Sequence, residues 1–243
     1  MKILILGGIA ESKELALALL SGGHEVIYSI AGLVRIPDLP CKVHIGGFSY
    51  KNVDGTTGLA KFCLDKKIDL LVDATHPYAT TISENAALAT QRAKIPCWRF
   101  NRPGWNPKDY PRWHDYSKFA DLLPQISHFS RPFLSIGIGA LEYAKYRPVH
   151  QQWLVRSAKP FQDQAGIIQI NAIGPFDIND EIKLMADFSI DALISKNSGC
   201  NRVSAKLDAA ARLGIPVFVQ RRPELSVVER NFGEITSLID AIA

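Results

Sequence analysis

Cysteine is scarce in this chain of 243 residues: the four present, Cys41, Cys63, Cys97 and Cys200, lie far apart with no Cys-x-x-Cys pair. That spacing excludes a disulfide framework and a cysteine-based zinc site, so the thiols are expected to be reduced and buried or inert. His24, His44, His114, His128 and His150 likewise show no ligand spacing, and no metal is expected. Long apolar runs are missing too. The opening Ile3-Leu4-Ile5-Leu6 stops at Gly7-Gly8 and soon meets Glu11, too short for a signal peptide or a membrane span. A cytoplasmic protein without a membrane partner is therefore expected. Nor is one sign of charge in excess: 28 Lys+Arg stand against 24 Asp+Glu, a net +4 too slight to argue for nucleic acid. Finally, the complete Gly-x-Gly-x-x-Gly fingerprint is absent. Gly7-Gly8 and Gly137-Ile138-Gly139 each fall short of it, so neither loop alone marks a dinucleotide site.

What is present is alternation. Short apolar runs at 2–6, 25–30, 43–45, 68–72, 133–136, 153–156, 167–170, 192–194 and 215–219 read as strands, with helical patterns between them. Residues 46–58, polar and glycine-rich, read as a mobile loop up to a helix at 58–67. Continuously apolar strands alternating with helices imply an α/β fold: two Rossmann-like domains with mostly parallel sheets covered on both faces. Proline, charge and aromatics concentrate at 106–130, which reads as the crossover, giving domains 1–128 and 129–243.

In such sheets ligands gather at the carboxyl ends of strands. Two loops there share one grammar. Ser195-Lys196-Asn197-Ser198-Gly199 follows an apolar strand and precedes an alanine-rich helix, as Asp73-Ala74-Thr75-His76-Pro77-Tyr78 does earlier. Hydroxyl, amide and ammonium groups at a helix start suit a phosphate or carboxylate, or they simply cap the helix and shape the turn. Arg99 and Arg102, interleaved with Trp98 and Trp105, suit a large conjugated acid, since guanidinium forks bind carboxylates and rings stack, or form an ordinary cation-π corner. Arg221 and Arg222 close the last strand. After the second strand, residues 31–35 carry no acidic residue, while Ser29 and Arg35 lie near. If a dinucleotide binds there, NADP(H) is favoured over NAD(H), with a solvated Arg35 as the alternative.

The ordered set Gly7-Gly8-x-x-Glu11, Ala31-Gly32, Gly46-Gly47-Phe48, Asp73-Ala-Thr-His-Pro77-Tyr-Ala79, Arg102-Pro103-x-Trp105, Gly174-Pro-Phe176, Ser195-Lys-Asn-Ser-Gly199, Ala205-Lys206 and Arg222-Pro223 resembles the precorrin-6A and cobalt-precorrin-6A reductase family of cobalamin biosynthesis. The likeness spans nearly the whole chain. It implies an active site in an interdomain cleft, NADPH (or NADH) as cofactor, hydride transfer to C19 of precorrin-6A with a proton to C18, and precorrin-6B as product. Cobalt-precorrin-6A is the alternative substrate. Two departures stand out: the family commonly reads GGT where this chain has Gly7-Gly8-Ile9, and AGR where it has Ala31-Gly32-Leu33.

On this resemblance Gly7, Gly8, Glu11, Gly32, Arg35, Thr75, Ser195, Asn197, Ser198 and Gly199 are the expected cofactor contacts. Arg99, Arg102, Lys206, Arg221 and Arg222 are the expected contacts of substrate acids. Lys196 is expected to stabilise developing charge, and His76 with Tyr78 to relay the proton, an imidazole titrating near neutrality. For His76 a structural role at the Pro77 turn stays open, as does proton delivery by solvent. Two rival classes share some of these features. A nucleotide-sugar epimerase would need a Tyr-x-x-x-Lys pair, yet Tyr146 is followed four residues on by His150. A non-catalytic two-lobed module would bind an anion without consuming the nucleotide.

Overall fold

The computed structural model describes residues 1–32, 36–200 and 203–243, so the expected contact Arg35 lies outside the described residues. The chain forms two compact units, residues 1–103 with 223–243, and residues 104–222.

Unit 1 is one six-stranded sheet in the order β12-β5-β4-β1-β2-β3, every pairing parallel. Its strands are β1 (Lys2–Leu6), β2 (Glu25–Ile30), β3 (Lys42–Ile45), β4 (Leu70–Asp73), β5 (Cys97–Phe100) and β12 (Arg230–Phe232). Side chains of β1 alternate between two cores. Ile3 and Ile5 pack with α1 (Ala10–Ser21) and α7 (Ile235–Ile242), while Leu4 and Leu6 pack with α2 (Gly55–Lys66) and α3 (Thr80–Ala93). Burial on both faces is why the strand reads as an unbroken apolar run.

Unit 2 repeats the plan with β6-β11-β10-β7-β8-β9, again all parallel. These are β6 (Trp113–Tyr116), β7 (Pro132–Leu134), β8 (Trp153–Ser157), β9 (Ile167–Asn171), β10 (Ala192–Lys196) and β11 (Val217–Gln220). α5 (Ile178–Asp187) and α6 (Ala205–Arg212) cover one face. α4 (Phe119–Gln125) and a 3-10 segment at Ile138–Tyr146 cover the other. The Asp177 carboxylate caps α5 by accepting the Asn179 N–H at 2.7 Å.

Two expectations need correction. The boundary at residue 128 moves to 103, because β6 and α4 are not linker: β6 pairs with β11 inside the second sheet. The chain then returns, and β12 pairs with β5, placing the C-terminal helix in unit 1. The glycine-rich stretch before residue 58 is also partly helical, since Asp54 starts α2 by accepting the Thr57 N–H at 2.9 Å.

Each sheet reverses direction once. In unit 1 the chain runs outward from β1 through β2 and β3, then resumes at β4 on the other side of β1. In unit 2 the reversal falls between β7 and β10. Such switch points leave a crevice beyond the carboxyl ends of the two central strands. The loop after β1 and the loop after β4 meet the first crevice, and Asn197–Gly199 meets the second.

Candidate functional site

In unit 1 the turn after β1 is tied down from beneath. The Gly8 N–H donates to Tyr28 Oη at 3.1 Å and Ser12 Oγ at 3.2 Å, and those two hydroxyls are 2.6 Å apart. A Cβ on Gly7 would lie 2.2 Å from the Tyr28 ring, so only glycine fits. Gly8, at φ +131°, has nothing within 4 Å of where its Cβ would be: above it the turn is open. Ile9 precedes helix α1 as its N-cap residue and offers no side-chain cap, and Glu11 sits in the first turn.

Glu11 and Arg102 form an ion pair through Oε1 and Nη1, the two side chains only 22% and 9% exposed. These residues were assigned to cofactor and substrate respectively, and here they meet. Glu11 Oε2 is buried and has no hydrogen-bond partner among the described residues.

Arg99 is committed elsewhere than expected. It is 5% exposed, its Nε donating to Asp73 Oδ2 at 2.9 Å, Nη1 to the Ser226 carbonyl at 2.8 Å and Nη2 to the Ser83 carbonyl at 3.4 Å. With every guanidinium nitrogen bonded to protein, it fastens β4, α3 and the returning segment rather than presenting a fork to a ligand. Thr75 is drawn into the same network, its hydroxyl donating to Asp73 Oδ1 at 2.7 Å. Asp73, the hub of this arrangement, was quoted in the motif but given no role.

Next to it, His76 Nδ1 accepts the Tyr78 N–H at 3.3 Å, and the two rings stand 5.7 Å apart. Tyr78 lines a cavity of about 350 Å³ with Phe48, Ser49, Gly55, Thr81 and Asn85. Gly32 (φ +73°) is exposed beside β3, where a Cβ would meet the Ile45 side chain at 2.5 Å.

In unit 2, β10 carries Ser195 and Lys196 to the switch point. Ser195 is 1% exposed and its hydroxyl donates to the Lys196 carbonyl at 3.3 Å, a buried position unlike the expected open contact. Lys196 is half-buried, and desolvation pushes its ammonium below the usual lysine range. Asn197 uses its amide on the Trp105 backbone, and its carbonyl accepts Arg222 Nε–H at 2.8 Å. Ser198 is buried, and Gly199 turns the chain at φ +67°. Arg221 is exposed, 3.6 Å from the Asp115 carboxylate. Lys206 lies over the Trp105 ring, its Nζ 5.3 Å from the centroid. The candidate residues thus fall into two sets, one at the carboxyl edge of each sheet. Arg156 and Glu181, which pair in unit 2, were missed because nothing in their local sequence announces a bond across 25 residues.

Two doubly wound, wholly parallel sheets with polar loops at their carboxyl edges define the Rossmann-like class of α/β protein. Among the described residues no helix is long and apolar enough to cross a membrane. The family model for the precorrin-6x reductases CbiJ/CobK matches residues 2–243. The precorrin-6A reductase of Rhodococcus erythropolis is 40% identical over 98% of this chain and 96% of its own length. That of a Sinorhizobium species is 38% identical over 93% and 87%. A solved structure of CobK precorrin-6A reductase superposes with a TM-score of 0.88 at 27% identity, covering 100% of this chain and 96% of that one. The chain belongs to the precorrin-6x reductase family. It is an oxidoreductase of cobalamin biosynthesis acting on a CH–CH group, as the ordered motifs implied.

Proposed function

We propose that this protein reduces precorrin-6A to precorrin-6B, taking hydride from NADPH, with NADH as the alternative donor. The observation that carries this reading is the 40% identity to a precorrin-6A reductase along 98% of the chain. Relatives described as cobalt-precorrin-6A reductases are less similar, 29% identical for that of Methanococcus maripaludis, which favours the metal-free substrate.

A nicotinamide nucleotide, when bound, supplies the hydride that adds at C19, and a proton adds at C18, so the ring is reduced by two electrons. The chain's own residues fit such a ligand. The open face above Gly8 admits a close approach, and the orphaned, buried Glu11 Oε2 suits a hydroxyl donor such as a ribose. Gly7, Gly32, Ser198 and Gly199 shape the backbone on the two edges. Lys196, held at the end of β10, stabilises negative charge developing on the ring. Arg221 and Lys206 meet substrate acids, and His76 or Tyr78 passes the proton.

Anaerobic assay with purified precorrin-6A tests the proposal. One nucleotide is expected to be oxidised per tetrapyrrole reduced, faster with NADPH than NADH. No consumption of either nucleotide would refute it.

A further inference from the structure

The glycine turn after β1 uses both of its N–H groups on the protein itself. The Gly7 N–H donates to the Ser29 carbonyl at 2.8 Å, carrying the β1–β2 ladder one bond further. The Gly8 N–H is shared between Tyr28 Oη and Ser12 Oγ, at 3.1 and 3.2 Å, on two fully buried side chains. Ser12 has a single hydroxyl proton and donates it to the Ile9 carbonyl at 2.6 Å. The 2.6 Å contact between the two hydroxyls is therefore Tyr28 donating to Ser12, and both oxygens keep lone pairs for Gly8. In the dinucleotide turns of doubly wound sheets such amides meet the pyrophosphate. Here neither is left for it.

The other side of the same peptide bond faces the opposite way. The bond between Gly7 and Gly8 is trans, since the one cis bond among the described residues is Gly174–Pro175. A trans peptide sets its C=O opposite its N–H, so the Gly7 carbonyl turns away from the buried hydroxyls. No backbone N–H of the described residues bonds to it. Gly8 allows the arrangement by adopting φ +131°, and the space above it is open. Four residues on, Glu11 holds a second unused acceptor in Oε2. The turn thus offers oxygen acceptors. A phosphate diester has only acceptors and is repelled, whereas a sugar hydroxyl or a carboxamide N–H is a donor and is bound.

We propose that Tyr28 is a positioning residue of the nucleotide site. With Ser12 it holds the Gly8 N–H inward, so that the turn meets its ligand with the Gly7 carbonyl and selects a hydroxyl or amide donor of the nucleotide over its phosphates. This deepens the reading of the chain as a nicotinamide-dependent reductase and rests on it.

Two measurements on the whole protein test the role. Protein labelled with [1-13C,15N]glycine gives amide-to-carbonyl correlations only from its three Gly-Gly pairs, 7–8, 22–23 and 46–47. Gly22→Ala and Gly47→Ala, whose Cβ atoms would meet nothing closer than 3.5 and 4.0 Å, remove two of these signals and assign the remaining one. NADPH should move the Gly7 carbonyl resonance downfield, as a carbonyl gaining a donor does, and leave the Gly8 amide in slow exchange with solvent. Inorganic pyrophosphate should move neither. A Gly7 carbonyl unmoved by bound NADPH, or a Gly8 amide shifted by pyrophosphate, overturns the proposal. Tyr28→Phe keeps the ring that packs on Gly7 and removes only the hydroxyl. It should weaken NADPH binding, read by nicotinamide fluorescence, about tenfold while the tetrapyrrole KM stays within about twofold. Equal NADPH affinity overturns the proposal too. If NADPH binds with these shifts but precorrin-6A is not reduced, the assigned reaction fails and the role of Tyr28 stands; if wild type binds no NADPH, both fall.

Discussion

Asn197 holds the backbone of Trp105 much as a neighbouring strand would: its Oδ1 accepts the Trp105 N–H at 2.7 Å and its Nδ2 donates to the Trp105 carbonyl at 3.4 Å. A Cβ on Gly104 would come within 2.9 Å of that amide, so glycine precedes the clamped residue. Asn197→Ala removes both bonds and leaves a Trp105 N–H to be solvated, a loss of about 1–3 kcal/mol. Asn197→Asp keeps the acceptor and should lose less. Urea unfolding checks this, and an Asn197→Ala midpoint equal to wild type would show that the clamp contributes nothing. Because the clamped indole is the seat of Lys206, Asn197→Ala should also weaken tetrapyrrole binding.

The buried Asp73–Arg99 pair leads to a second prediction. Removing one partner of such a pair strands the other charge, so Arg99→Ala should cost about 3–5 kcal/mol of stability. The double variant Asp73→Ala with Arg99→Ala should be less damaged than the two single losses added together. A double-mutant cycle by denaturant unfolding measures the coupling. Had Arg99 been a ligand contact, Arg99→Ala would instead keep wild-type stability and raise only the tetrapyrrole KM.

The contrast shows what was legible in the sequence. Strands buried on both faces wrote themselves as unbroken apolar runs, so β1, β2 and β10 were found close to their true limits. β5, β6 and β12 were missed: each is short, carries charged or aromatic residues, and owes its existence to a partner strand distant in sequence. The same blindness explains the domain boundary, since only the pairing of β12 with β5 reveals that the chain returns. At the sites, residue type and loop position were readable but commitment was not. Arg99 and Arg221 look alike in the sequence, yet one is locked onto Asp73 and the other is exposed.

Gly58 supplies a third prediction. A Cβ there would lie 1.8 Å from the Phe48 carbonyl, because α2 packs its first turn directly against the loop after β3. Gly58→Ala must displace that loop, at about 1–3 kcal/mol. Gly139→Ala is the control, with nothing within 4 Å of its Cβ, and should stay within about 0.5 kcal/mol of wild type. Thermal unfolding of the pair decides: equal shifts would mean that the contact with Phe48 is not what requires glycine.

The last prediction concerns pH. The pKa of Lys206 falls from an ordinary 10.5 to about 8 on folding. Below about 8 both folded and unfolded chains hold the proton, and the folded protein bears the full cost of a desolvated ammonium. Between about 8 and 10.5 the unfolded chain binds more protons than the folded one, so this lysine's contribution to stability improves as pH rises. Above that window neither state is charged and the cost is gone. Lys206→Met never carries the charge. It should therefore be more stable than wild type at neutral pH, with the advantage shrinking as the solution is brought towards pH 10.5. Paired urea titrations of the two proteins across the window measure the difference, in which other alkaline titrations cancel. A gap that is constant with pH would mean that Lys206 is fully hydrated in the folded protein.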